Sequence, residues 1–142
     1  MSFSSPSVAN RNNLFLIRSK KTGIDLTTGL FENTPVNGVR PTASVAILID
    51  NEDITEVTVQ ITGYYLSDST KVAYVLELFI MNPGEVATRS YYAQFNAFKF
   101  QFKSSSQAVE ITVWGIDLAG NLVAAHRVLP SELTLIPTAN DL

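Results

Sequence analysis

The clearest pattern of hydrophobic and polar positions predicts a β-hairpin near the C-terminal end of the chain. Hydrophobic and polar residues alternate from position 109 to 114, the period-two signature of a strand with one buried face. The sequence then reads DLAGN at positions 117–121, where Gly120 can adopt the positive φ of a short hairpin loop. Residues 122–129 are predicted to return as the partner strand.

Six further segments carry a strand pattern, and turn signals separate them. They are residues 12–19, 43–49, 57–65, 72–81, 86–95 and 98–102. Gly63 is predicted to bend or bulge the third of them, and NPGE at positions 82–85 matches a type II turn. The chain shows no convincing helix. It therefore predicts an all-β fold, an antiparallel β-sandwich of about eight strands, jelly-roll or immunoglobulin-like, with an extended N-terminal arm.

The regions outside this pattern divide the chain into three parts. Residues 1–11 are rich in serine, and residues 22–41 contain glycine and proline without a sustained period. A segment of about 20 residues without structure is usually a functional loop or a linker. We therefore expect an N-terminal arm and long connection over 1–40, a sandwich body over 41–130 and a C-terminal tail over 131–142.

The strand predicted at 72–81 is apolar on both faces, which is unusual for a sandwich strand. One face carries Val72, Tyr74, Leu76, Leu78 and Ile80, and the other carries Ala73, Val75, Phe79 and Met81. Such a strand is central in a larger assembly or packs against something outside its own core. We predict that Val75, Phe79 and Met81 form an outer face that packs against another subunit.

Composition supports association and limits the available chemistry. Of 142 residues, 46% are hydrophobic and only 16% are charged, against a usual figure of about 25%. A surface poor in charge favours contact through exposed faces and strand edges. The chain has no cysteine, which excludes disulfides, thiol chemistry and cysteine-ligated zinc.

Charge is divided unevenly along the chain. Residues 1–40 have a net charge of +3 and residues 41–142 a net charge of −6. This division suits a head-to-tail homopolymer, in which the basic arm of one subunit meets the acidic body of the next. The residues predicted to add a strand to a neighbour are Leu14, Phe15, Leu16, Ile17 and Arg18. An arm folded onto its own body is the alternative.

The overall charge and hydrophobicity also bear on partners and location. A net charge of −3 argues against general nucleic-acid binding, and no apolar run is long enough to predict a membrane span. Near the N-terminus the basic residues follow the apolar patch, so an ordinary signal peptide is not predicted. We expect a spore or cell surface protein made without a classical signal peptide. A virion component and a cytosolic protein fit the same features.

The candidate catalytic and metal sites are weak. His126 is the single histidine, which excludes a histidine-based metal cage, and no nucleophile motif accompanies it. DNED at positions 50–53 offers oxygen ligands for calcium but lacks the glycine and distal glutamate of an EF-hand loop. Glu77 and Glu110 would need to converge from distant strands to act as a pair. We predict no enzyme, no metal and no cofactor.

Aromatic residues provide a candidate ligand platform. Stacking against sugar rings could use Trp114, Tyr64, Tyr65, Tyr91 and Tyr92, although core or inter-subunit packing is the favoured explanation of aromatic strand residues. A carbohydrate-binding or other surface-ligand module is therefore the second functional hypothesis.

The sequence from Val113 to Val128, VWGIDLAGNLVAAHRV, followed by Glu132 and Leu133, resembles the C-terminal hairpin of small β-sandwich proteins from spore-forming Firmicutes. In its plan, an arm before an eight-stranded sandwich, the chain is similar to endospore appendage subunits. The resemblance implies jelly-roll subunits that stack into fibres, with the arm of one subunit inserted into a neighbour. Those subunits carry arm cysteines that cross-link the fibre, and this chain has none. We predict non-covalent self-assembly, and a virion tail or decoration protein is a further alternative.

Overall fold

The computed structural model describes residues 22–137, and within them the chain folds into ten β-strands. The strands are β1 (Ile24–Thr27), β2 (Phe31–Glu32), β3 (Ser44–Asn51), β4 (Val57–Ser67), β5 (Thr70–Met81), β6 (Val86–Tyr92), β7 (Ala97–Ser104), β8 (Val109–Ile116), β9 (Leu122–Val128) and β10 (Thr134–Leu135). A short 3-10 turn, Pro130–Glu132, precedes β10.

The strands form two sheets, and neighbouring strands within each sheet are antiparallel. The first sheet has the order β10-β1-β7-β4-β5, and β2 also pairs with β7. The second has the order β6-β3-β8-β9. The predicted antiparallel β-sandwich is confirmed. The strand predicted at 12–19 lies outside the described residues.

Alternation along the strands builds the core between the sheets. Its fully buried members include Phe98, Phe100 and Phe102 of β7, opposed by residues such as Ile47 and Ile49 of β3. Each such side chain contributes about 1.5–3 kcal/mol by leaving water. The strands with the cleanest alternation in sequence are therefore those that form the interior.

Residues 24–32 were predicted to belong to the N-terminal arm and connection over 1–40, but they contain two strands of the first sheet. Both β1 and β2 pair with β7, with Leu26 opposite Phe102 and Phe31 opposite Phe98. Strands of four and two residues are too short to show a period, yet Leu26 and Phe31 pack against the core. The first sheet therefore begins at residue 24 rather than 41, and β10 in the expected tail extends it by pairing with β1.

The predicted turns and the bulge are confirmed. Gly84 has φ +76° and the amide of Glu85 donates to the carbonyl of Asn82, as a type II turn requires. Gly120 has φ +89° in the β8–β9 loop. The register between β4 and β5 shifts at Gly63, where a Cβ atom would lie 2.7 Å from Phe100 Cε1.

Candidate functional site: the β5 edge and the surfaces beside it

Strand β5 is an edge of the first sheet and carries three exposed hydrophobic side chains in a row. Leu76, Leu78 and Ile80, which we call the apolar stripe, are 74%, 65% and 60% exposed. They lie opposite the polar residues Thr62, Gln60 and Thr58 of β4 on the outer face of the sheet. A long edge strand of 12 residues with an apolar outer face is a template for pairing with another strand.

The outer face of β5 is therefore the opposite of the one predicted. Met81 is fully buried, and Val75 and Phe79 pack against the core. Register explains the error, because Met81 pairs with Val57 and Phe79 with Val59, both of which point inward. With both faces apolar, the sequence contained no signal to show which face points outward.

Side chains close the sandwich beside this edge. Arg89 of β6 donates to Glu77 of β5 over 2.7 Å and lies 4.2 Å from the centre of the Phe79 ring. Tyr91 also donates to Glu77, and this hydrogen bond, helped by Arg89, lowers the pKa of Glu77 despite partial burial. Burial raises the pKa of Tyr91. The side chains between the edge strands β5 and β6 are thus each other's hydrogen-bond and ion-pair partners.

The loops at one end of the sandwich are acidic. The amide of Gly84 donates to Asn51 and that of Glu52 donates to Ala108, so the loops at 51–57, 82–85 and 105–108 meet there. These loops contain four acidic residues and no lysine or arginine. The pKa of Glu52 is raised, mainly because its protonated carboxyl donates a hydrogen bond to the Asp50 carboxylate and because the charge of that carboxylate disfavours ionised Glu52. The described chain also begins at this end, because Gly23 precedes β1 and Ile24 pairs with Ser104.

The side chains of the candidate calcium turn form hydrogen bonds within the turn and to the neighbouring loops. The buried Asn51 side chain donates to the carbonyls of Thr55, Met81 and Asn82 at 2.9–3.3 Å. Asp53 accepts from Thr55 and, over 2.5 Å, from Ser106 Oγ. These residues hold the loops at this end together. Across residues 22–137, no group of three histidine or acidic residues could hold a metal ion.

His126 lies in the interior between the sheets. Its Nδ1 is 2.7 Å from Thr42 Oγ1, and its ring contacts the rings of Phe31 and Phe98 edge-on. Burial lowers the pKa of His126, and a hydrogen bond with the backbone of Glu32 acts in the opposite direction. The side chain is only 8% exposed, so its surroundings suit a structural role.

The two candidate carboxylates are not paired with each other, because Glu77 is bonded to Arg89 and Tyr91 of β6, whereas Glu110 is exposed on β8 opposite Asp50. The candidate aromatic platform is also divided. Tyr65 stacks on Phe95 at 4.4 Å, within an aromatic cluster that also contains Tyr74 and Tyr92. Tyr64 pairs with Lys99 on the outer face of the first sheet, whereas Trp114 belongs to the second sheet.

Sequence reasoning missed Asn33, a fully buried polar residue that joins three segments. Its Nδ2 donates to the carbonyls of Thr42, Ala93 and Phe95 at 2.9–3.1 Å, and its Oδ1 accepts from the Thr42 amide. A single asparagine in a loop gives no signal of such a role, because its partners are up to 62 residues away.

The other predicted assembly residues, Leu14, Phe15, Leu16, Ile17 and Arg18, lie outside the described residues. From Thr22 to residue 137, no helix is both long and apolar enough to cross a membrane.

Comparisons with known proteins give structural similarity only. No family model and no curated protein matches this chain. Among solved structures, it is similar to the Anabaena sensory rhodopsin transducer, with 16% identity, a TM-score of 0.45, and 68% of this chain and 91% of that one covered. It is also similar to Thermotoga maritima 1070, with 14% identity, a TM-score of 0.43, and coverage of 80% and 92%. A third similarity is to the CBM22-1 and GH10 modules of a Clostridium thermocellum xylanase, solved with xylohexaose, with 13% identity and a TM-score of 0.35. It covers 67% of this chain and 26% of that one. The comparisons assign this chain to no family.

Proposed function

We propose that this protein is a structural subunit that self-assembles non-covalently, head to tail, into a fibre or layer on a spore or cell surface. The observation that carries this proposal is the apolar stripe on the edge strand β5, with side chains 60–74% exposed. An edge of this kind favours association through its unpaired backbone groups and its apolar face together.

The occupant we propose for the β5 edge is the apolar segment Leu14 to Ile17 of a second copy. An added strand would pair its backbone with β5 and place alternate side chains beside Leu76 and Leu78, as strand addition requires. With no cysteine in the chain, disulfides cannot join the copies, so backbone pairing and apolar contact would hold them together.

Charge supports the same contact. Arg18, Lys20 and Lys21 follow the apolar segment directly, and the loops at 51–57 and 82–85, which flank the ends of β4 and β5, carry only acidic charges. Attraction between exposed charges is screened over about 8 Å at physiological ionic strength. Assembly should therefore weaken as salt concentration rises.

The same segment is long enough to reach the β5 edge of its own subunit. Strands β1 and β5 are separated by three inter-strand steps, about 14 Å, and residues 14–17 precede Thr22 by five to eight residues, or about 16–28 Å when extended. The decisive experiment therefore has to separate pairing within a subunit from pairing between subunits.

Two complementary variants make that separation. A chain lacking residues 1–20 keeps the β5 edge, the acceptor of the added strand, but has lost the N-terminal segment that donates that strand. A Leu76→Lys/Leu78→Lys chain keeps the N-terminal segment but has an altered β5 edge. Each should be monomeric alone in size-exclusion chromatography with light scattering, and a mixture should form a one-to-one complex.

Leu118→Lys is the matched control, because Leu118 is 68% exposed in the β8–β9 loop, away from β5. This variant should assemble as the unaltered chain does. Monomers in the mixture would refute donation between subunits, and polymers formed by the chain lacking residues 1–20 would refute the role of the arm.

A further inference from the structure

The outer face of the first sheet contains a groove beside the apolar stripe. Two adjoining depressions of about 600 and 240 Å³ share Asp25, Gln60 and Lys103 in their walls. The smaller one is also lined by Thr62, Tyr64 and Gln101, and the larger one reaches Leu78. We call the two depressions together the groove.

Strand register places the polar residues of the groove in two rows. Asp25, Lys103 and Gln60 are neighbours across β1, β7 and β4, and Gln101 and Thr62 are neighbours in the next row. All of them occupy outward positions, because the alternate residues of β4 and β7 point into the core. The fold therefore presents an ordered polar surface.

The side chains of this surface have unused hydrogen-bonding groups. Gln60, Thr62, Tyr64 and Gln101 are partly buried, and none of their side-chain polar atoms bonds to another residue between positions 22 and 137. Each amide has two donor hydrogens and an accepting oxygen, and each hydroxyl can donate and accept. The groove thus offers donors and acceptors side by side.

Backbone pairing and the polar side chains restrict the class of ligand. Asp25 and Lys103 of the walls carry opposite charges, and Lys99, whose ammonium lies 5.6 Å from the centre of the Tyr64 ring, is a further positive charge beside the smaller depression. The floor strands of the groove, β1, β7 and β4, are each paired on both sides, which leaves no free edge for an extended peptide. A ligand must be recognised by side chains, and to match Gln60, Thr62 and Gln101 it must carry neutral donors and acceptors along its length.

We propose that this groove binds a neutral oligosaccharide chain, with hydrogen bonds to Gln60, Thr62 and Gln101 and an apolar contact with the ring of Tyr64. Aromatic residues such as Tyr64 combine an apolar ring with a polar tip, and a sugar unit presents the same combination. The inference does not depend on assembly, because the side chains proposed to contact the ligand lie on β4 and β7 rather than on the β5 edge.

Nuclear magnetic resonance titration of the full chain tests this inference. The ligands are cellohexaose, xylohexaose, maltohexaose and chitohexaose. The side-chain amide signals of Gln60 and Gln101 report the contact, and isothermal titration calorimetry gives the affinity of the unaltered chain and of each variant. At least one hexasaccharide should shift both signals in a saturable manner. A Gln60→Leu/Gln101→Leu chain should bind it about tenfold or more weakly, as expected for two lost hydrogen bonds.

Gln107→Leu, an exposed glutamine between β7 and β8, is the matched control and should leave affinity unchanged. The inference is overturned if no hexasaccharide shifts these signals, or if the double variant binds as well as the unaltered chain. It is also overturned if a peptide of residues 1–13 shifts both signals and the sugars do not, because the groove would then hold part of the chain itself.

Discussion

At the scale of single residues, buried polar side chains fix the connections between strands. Asn33 joins the end of β2 to the start of β3 and to the segment between β6 and β7. Asn51 does the same at the acidic end of the sandwich, where it donates to Thr55 and Asn82. Loops that carry little hydrophobic surface are thereby held in one arrangement.

Replacing Asn33 with alanine should destabilise the fold by about 2–4 kcal/mol, because the Thr42 amide and three carbonyls would lose a buried partner. Urea denaturation followed by tryptophan fluorescence measures the change. Asn121→Ala is the control, since Asn121 is exposed in the β8–β9 loop and its loss should cost less than about 0.5 kcal/mol. Equal effects from the two substitutions would contradict the role of Asn33.

His126 should make stability depend on pH. Because its pKa is lowered in the folded chain, the unfolded chain binds a proton more readily. The free energy of unfolding should therefore fall as pH drops below about 6.5 and should be fully recovered above that value. Urea midpoints at pH 5 and 7 for the unaltered chain and for His126→Gln measure this. The prediction fails if the variant loses as much stability on acidification.

At the scale of elements, sequence predicted the long strands and not the short ones. The alternation in β3, β4, β7 and β8 is long enough to reveal both the strand and its buried face, and those strands form the core. Strands β1, β2 and β10 have two to four residues each, so their places depend on distant partners such as Phe102 and Phe98. No local pattern contains that information.

Strand β5 shows a second limit of sequence reasoning. Its position in a hydrophobic strand was predicted, but its orientation depends on the register with β4, in which Met81 is opposite Val57. The predicted association surface therefore lies on the correct strand, but the residues predicted to point outward were wrong. Leu76, Leu78 and Ile80 replace Val75, Phe79 and Met81 as its outward members.

Gly63 should be indispensable to the bulge between β4 and β5. A Cβ atom there would lie 2.7 Å from Phe100 Cε1 and 3.0 Å from Val75 Cβ, so Gly63→Ala must displace core side chains. We expect a loss of about 1–3 kcal/mol, the usual cost of overpacking. Thermal unfolding measures it. An unchanged midpoint would show that the bulge relaxes without cost.

At the scale of the whole molecule, the first sheet exposes two different surfaces. The first sheet carries the apolar stripe at its β5 edge and the polar groove on the strands beside it. One end of the body is acidic, and the basic residues of the N-terminal segment precede the strand that starts there. The stripe and the groove meet at Leu78, but the proposed ligand contacts lie on β4 and β7, so polymer formation and ligand binding could occur in the same subunit.

The most direct measurement is negative-stain electron microscopy of the purified, untagged full chain at low and high salt. Regular fibres or layers at low salt, shortened or dispersed at high salt, are the result expected if copies join through the β5 edge and opposite charges. Grids without regular assemblies at every salt concentration, together with a single species of about 16 kDa in size-exclusion chromatography with light scattering, would contradict self-assembly.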